Sequence, residues 1–174
     1  LSGIRGENPD RLKHELEFYE KSAAACRSRG VDLLYHNHDW EFTSPLGIWE
    51  AMVEREAFRF CPDLGWIYKG GRPVVETLET IRGRIGAVHF KDFAAMEPRM
   101  NPVPLGEGAA PLAECADWIK AHMDEPLWMI SEQDRTDDLP TADMAARNGA
   151  FLRRVMEPDA QQPGPGGPAN SKGV

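Results

Sequence analysis

Four short, largely apolar runs, each ending in ionisable residues and each separated from the next by a stretch of helical period, constrain this chain more than any other feature. The runs are Val31 to Tyr35, Phe58 to Cys61, Ile85 to Phe90 and Leu127 to Ser131. Runs of this length, bounded by glycine, proline or polar clusters, read as strands buried in a parallel sheet. Between and around them stand predicted helices: from the Asn8 cap and Pro9 to the Gly30 stop, then Pro45 to Arg55, Pro73 to Ile81, Leu112 to His122 and Thr141 to Met156. Asn8 can cap, Pro9 suits a first turn, and Leu12, Leu16, Tyr19, Ala23 and Cys26 recur at helical spacing. Strands alternating with helices imply right-handed βαβ units around a parallel sheet.

The fold class is therefore α/β, and the expected architecture is the C-terminal four or so units of a (β/α)8 barrel over residues 1–157. A complete barrel uses roughly 250 residues, whereas this chain has 174. Four strands cannot close a wall of eight. The wall is completed by units upstream of Leu1, by association of two chains into a homo-oligomer, or not at all, as in a remnant without function. The upstream reading is preferred, and a start at Leu1 without Met agrees with it. The segment from Phe93 to Ala110 carries Pro98, Pro102, Pro104, Gly106 and Gly108 and reads as a long functional loop without regular structure. Residues 158–174, rich in Pro, Gly, Ser and Gln, read as a disordered tail.

A formal charge of −8 disfavours nucleic acid or an anionic membrane as partner, since both demand clustered Lys and Arg. No run approaches the roughly 20 apolar residues of a membrane span, and a cytoplasmic location is expected. Cys26, Cys61 and Cys115 show no CxxC pairing and read as small core residues.

Side chains at the C-terminal ends of strands in such units converge on one mouth, where active sites are built. The ends present His36, His38 and Glu41, then Asp63, then His89 and Lys91, then Glu132 and Asp134. Imidazoles and carboxylates from separate strands suit a divalent ion, Mn, Co, Mg or Zn, that keeps positions open for substrate oxygens. A single one of these residues is ordinarily a solvated carboxylate or a hydrogen-bonded histidine; ionisable groups at all four ends are a different matter.

The runs Tyr35-His36-Asn37-His38-Asp39-Trp40-Glu41-Phe42, Asp63-Leu64-Gly65-Trp66, His89-Phe90-Lys91-Asp92, Pro104-Leu105-Gly106-Glu107-Gly108 and Glu132-Gln133-Asp134 resemble, in order, the motifs of the sugar phosphate isomerase/epimerase family. That family has the xylose isomerase-like TIM barrel and includes inosose dehydratase-like members. The resemblance implies metal ligation by Asp63, His89 and Glu132. Where many relatives carry a further ligand Glu, this chain has His36, with Glu41 as an alternative. It also implies substrate contact or proton transfer by His38, a substrate-oxygen contact by Lys91, and catalytic roles shared among Glu132, His38, Glu41 and Lys91. Trp40 and Trp66 read as aromatic walls for a sugar ring, and Glu107 as a substrate contact from a shaping loop that lacks the lysine of a phosphate-binding P-loop.

The expected activity is isomerisation or epimerisation of a small polyhydroxylated carbonyl substrate through a metal-stabilised enediolate. Expulsion of a β-hydroxyl from the same intermediate gives the alternative, an inosose-type dehydratase. A ligand-binding or inactive domain is the third reading, and phosphodiester cleavage is disfavoured by the acidity. Pro62 stands out, because proline removes a donor from what reads as a central strand.

Overall fold

The computed structural model describes residues 1–123, 127–134 and 139–157; the expected disordered tail lies outside them. Helix α1 (Pro9–Arg27) begins where the sequence predicts: Asn8 Oδ1 accepts from the Arg11 amide at 2.9 Å and Pro9 opens the first turn. Its buried face is Leu12, Leu16, Tyr19 and Ala23, and Gly30, at φ +72°, turns the chain out of it. Only glycine takes up such a conformation at little cost.

The remaining elements follow as β1 (Leu34–Tyr35), α2 (Trp40–Thr43), α3 (Ile48–Val53), β2 (Arg59–Phe60), α4 (Leu64–Lys69), α5 (Val74–Thr80), β3 (Ala87–Phe90), β4 (Asp92–Phe93), β5 (Pro102–Val103), α6 (Leu112–His122), β6 (Trp128–Ser131) and α7 (Thr141–Met156). Strands β1 and β2 pair in parallel, as do β3 and β6. The bridges Phe60↔Ile85 and Asp63↔His89 join the two pairs, giving the order β1-β2-β3-β6. Leu1 extends the ladder beside β1: its amino group donates to Leu34 O at 2.9 Å and its carbonyl accepts from the His36 amide at 2.8 Å.

The two bridges between β2 and β3 are three residues apart on one chain and four on the other, which is the register change of a β-bulge. Pro62 sits there, accepting from the His89 amide at 2.9 Å. The bulge explains how a proline is tolerated between central strands: the ladder slips where the missing donor falls.

Two short helices follow the strand ends directly, and one expectation is corrected. Leu64-Gly65-Trp66 opens α4, because Asp63 Oδ1 accepts from the Trp66 amide at 2.8 Å and nucleates a turn at once. Likewise Trp40-Glu41-Phe42 forms the short α2. The loop after Phe90 contains a hairpin, β4 antiparallel to β5, with Pro102 on a two-residue strand that needs few donors.

The core lies between the sheet and the outer helices. Tyr19, Tyr35, Phe58 and Phe60 are fully buried there, with Tyr19 stacked on Phe58 at 3.9 Å between ring centroids. The Tyr19 hydroxyl donates to the Leu33 and Arg59 carbonyls at 2.8 and 3.2 Å, pinning α1 across β1 and β2. On the opposite, concave face a cavity of about 710 Å³ is lined by Leu34, His36, Cys61, Ala87, His89 and Glu132 among others. Among the described residues, no helix is long and apolar enough to cross a membrane.

Candidate metal centre

His36 stands directly beyond β1, Asp63 beyond β2, His89 within β3 and Glu132 just after β6. The parallel register brings these four ends level, and one ligand atom from each falls within 4.8 Å of all the others. Bonds of roughly 2.0–2.2 Å to nitrogen and oxygen place donors on opposite sides of one ion about 4.0–4.4 Å apart, so small side-chain adjustments bring the group to the dimensions of a single-ion site.

Asp63 is the best-fixed member. It is wholly buried; one oxygen caps α4 and the other, Oδ2, has no hydrogen-bond partner among the described residues. A buried carboxylate oxygen without a donor is costly unless something charged meets it. Asn37, also buried, brackets the same residue, accepting from the Asp63 amide at 3.0 Å and donating to its carbonyl at 3.3 Å. Asn37 is an uncharged residue with no metal-ligating group, and the signal for its role in the sequence is its place between two histidines at a strand end.

His89 Nδ1 lies against Glu132 Oε2, and His36 Nε2 is 4.0 Å from the same oxygen. The His36 and His89 rings are 4.6 Å apart between centroids. Burial depresses His36 to about 3, with the His89 charge acting in the same direction. Burial works against His89 too, but its hydrogen bonds to Cys61 and Glu132, together with their charge, outweigh it and hold the imidazolium up to about 10. Glu132 is the counterpart: burial alone would raise it, and His89 with Lys91 keep it down at about 2. Asp63 is pushed up to about 7 by burial, in spite of the nearby Lys91 ammonium. Two imidazoles and two carboxylates, with His36 Nδ1 and Asp63 Oδ2 buried without a hydrogen bond, form an N/O set that fits a divalent ion of the Zn, Mn or Co type.

Other predicted residues fall around this group. Lys91 is 1% exposed and reaches Glu132 Oε1 at 2.8 Å and Asp134 Oδ2 at 2.9 Å. His38 stacks on Trp40 at 4.0 Å and is tilted 5.6 Å from Trp66, while burial depresses it to about 4. Trp40 is held by its indole donor on the Ile4 carbonyl at 3.1 Å. Both indoles thus stand beside the His38 ring, Trp66 itself being buried and neither lining the cavity.

Two residues are placed elsewhere. Glu41 is completely buried, accepting from the Tyr35 hydroxyl at 2.7 Å and the His38 amide at 2.8 Å, so it braces the β1 end and does not join the four donors. Glu107 pairs with Arg147 at 3.0 Å, half-exposed on α7. Cys61 is buried, as read, and it also lines the site cavity with its thiol on the His89 ring.

Residues 2–155 match the family model of the xylose isomerase-like TIM barrel. The chain belongs to that family. No curated protein matches it at the level of sequence. Among solved structures it is similar to a sugar phosphate isomerase/epimerase from Parabacteroides distasonis, at 20% identity and a TM-score of 0.70, over 87% of this chain and 54% of that one. It is similar also to the IOLI protein with a bound zinc atom, at 14% identity and a TM-score of 0.67, over 89% and 61%. A third is the probable 3-DHS dehydratase AsbF of Bacillus anthracis, at 17% identity and 0.59, over 82% and 58%. At these identities the likeness is one of fold. The chain spans between 54 and 61% of the length of these relatives, so the described wall is the incomplete barrel that its strand count implies.

Proposed function

We propose that this chain carries the metal-binding half of an isomerase or epimerase acting on a small polyhydroxylated carbonyl compound. The observation that carries the reading is the convergence of His36, Asp63, His89 and Glu132 on one point, with a buried Asp63 oxygen left without a donor. Those four residues would hold the ion. A bound divalent ion supplies Lewis acidity, drawing charge from a substrate carbonyl and so acidifying the neighbouring C–H.

The chain's own groups would do the rest. Glu132, whose carboxylate is ionised and borders the mouth, takes the proton from the acidified carbon. His38, held neutral by burial and fixed by stacking on Trp40, acts as a relay on the other face, taking a proton from solvent on one ring nitrogen as the other nitrogen gives its own to carbon, while the proton on Glu132 passes to solvent. Lys91 offers its ammonium to a substrate oxygen, and Trp40 gives apolar surface beside His38, with the buried Trp66 backing it. Return of the proton to carbon completes isomerisation or epimerisation.

A second reading, dehydration, is supported by the likeness to the probable 3-DHS dehydratase; the same proton abstraction then ends in loss of a β-hydroxyl. The test is incubation of the Mn²⁺-treated protein with a panel of keto-sugars and keto-cyclitols in D₂O. Deuterium on carbon without loss of water is the expected result, abolished in Glu132→Gln. An enone absorbance would replace the first reading by the second, and exchange that is indifferent to chelator would end both.

A further inference from the structure

We infer that Lys91 is a built-in cation that holds the strand-end carboxylates together until a divalent ion displaces it, so that ammonium and ion compete for the same negative charge. This rests on the metal site proposed above and concerns how that site is kept ready. Lys91 Nζ lies 2.8 Å from Glu132 Oε1 and 3.7 Å from Asp63 Oδ2, and both carboxylates belong to the four-donor group. With Lys91 at 1% exposure and Asp63 at none, neither charge can be neutralised by water. Three carboxylates, counting Asp134 at 2.9 Å, thus gather around one ammonium. The His89 imidazolium lies against Glu132 alone, so without the ammonium the three carboxylates would repel one another in a medium of low polarity.

The backbone of Lys91 is fixed where it is. Gly65, in the first turn of α4, packs so close that an added Cβ would lie 2.6 Å from the Lys91 carbonyl oxygen, and the Trp66 ring stands 4.9 Å from Nζ. The side chain cannot withdraw by a shift of β3. Its stem can swing only among the acceptors already present, and Asp134 is the one of the three outside the donor group. A divalent ion entering between His36, Asp63, His89 and Glu132 would therefore push the ammonium onto Asp134 while still feeling its repulsion. The lysine stabilises the metal-free protein and weakens metal binding, two effects of one charge.

The full chain as wild type, Lys91→Gln and Lys91→Arg tests this, with thermal unfolding followed in chelator and in saturating Mn²⁺ and the Mn²⁺ dissociation constant measured by calorimetry. In chelator, Lys91→Gln is expected to melt roughly 5 °C or more below wild type. In Mn²⁺ the gap closes, and Lys91→Gln binds the ion about tenfold or more tightly, since a repulsive charge has gone. Lys91→Arg keeps the charge and follows wild type. A Lys91→Gln protein that binds Mn²⁺ no tighter than wild type overturns the inference, as does one that stays unfolded in Mn²⁺, because an ion able to replace the ammonium must rescue its loss. If neither wild type nor variant melts higher in Mn²⁺ or Zn²⁺, the metal site itself fails. That result is told apart by the unchanged melting of wild type.

Discussion

Asp63 does three jobs with one residue: it caps α4, ends the β2 ladder opposite His89 and brings to the donor group an oxygen that has no hydrogen bond and lies 3.7 Å from the Lys91 ammonium. Its neighbour His89 makes the metal-free site sensitive to pH, and the sign is fixed by where its proton goes. In the folded chain His89 holds its proton up to about 10, whereas an unfolded histidine gives it up near 6.5. A raised base stabilises fully below the unfolded value and loses that contribution as pH climbs toward the folded one. His36 and His38, depressed to about 3 and 4, are neutral in both states above about pH 7 and drop out of the balance. The melting temperature of the metal-free protein should therefore fall between about pH 7 and about pH 10, and His89→Gln should flatten that fall. A wild-type profile as flat as the variant's would mean that the imidazole is not held charged.

At the level of elements, the hairpin and the loops around it are tied down by single side chains. Asp92 is buried and accepts from the amides of Phe93, Gly106, Gly108 and Ala110 at 2.9 to 3.2 Å, so one carboxylate organises the turn that follows β5. Leaving buried amides without an acceptor costs roughly 1–3 kcal/mol each. Asp92→Ala should thus lower the urea-measured stability by about 3 kcal/mol or more, and a loss under about 1 kcal/mol would show that water replaces the carboxylate freely. Lys69 performs the matching task for residues 94–101, donating to the carbonyls of Ala95, Met96 and Pro98 and to Asn101 Oδ1 at 2.6 to 2.9 Å. Arg99 then reaches from that loop to Asp39, bidentate at 2.6 and 2.7 Å, over the Trp66 ring. The helix α4 is set by a close approach instead. Gly65→Ala drives a methyl into the Lys91 carbonyl, which is backbone and cannot yield. Overpacking of this kind costs about 1–3 kcal/mol; Mn²⁺ affinity should fall with it, since Asp63 caps the displaced helix. Unchanged calorimetric affinity in Gly65→Ala would separate α4 from the site.

For the whole molecule, the decisive feature is a parallel sheet whose concave face is a cavity and whose β6 edge pairs only with β3 among the described residues. Trp128 on that edge is 79% exposed and Ile130 37%. An apolar sheet edge with free backbone groups is a template for association. The chain should self-associate with rising concentration in sedimentation velocity, and Trp128→Lys should shift it toward the monomer. Equal behaviour of the two proteins would show that the edge is not the contact.

The sequence by itself determined the periodic plan: α1 with its Asn8 cap and Gly30 stop, the helices Leu112–His122 and Thr141–Met156, four parallel strands and the donors at their ends. Those features are local, because caps, breakers and hydrophobic period act within a few residues. Only the tertiary structure decided which donors meet. Glu41 stands in the same motif as His36, yet Tyr35 and the His38 amide claim it; Cys61 has the look of core, yet it borders His89. The bulge at Pro62 and the hairpin after Phe90 escaped for the same physical reason. Register between strands is set by pairing across dozens of residues of chain, and a short strand rich in proline carries no period for a sequence to display.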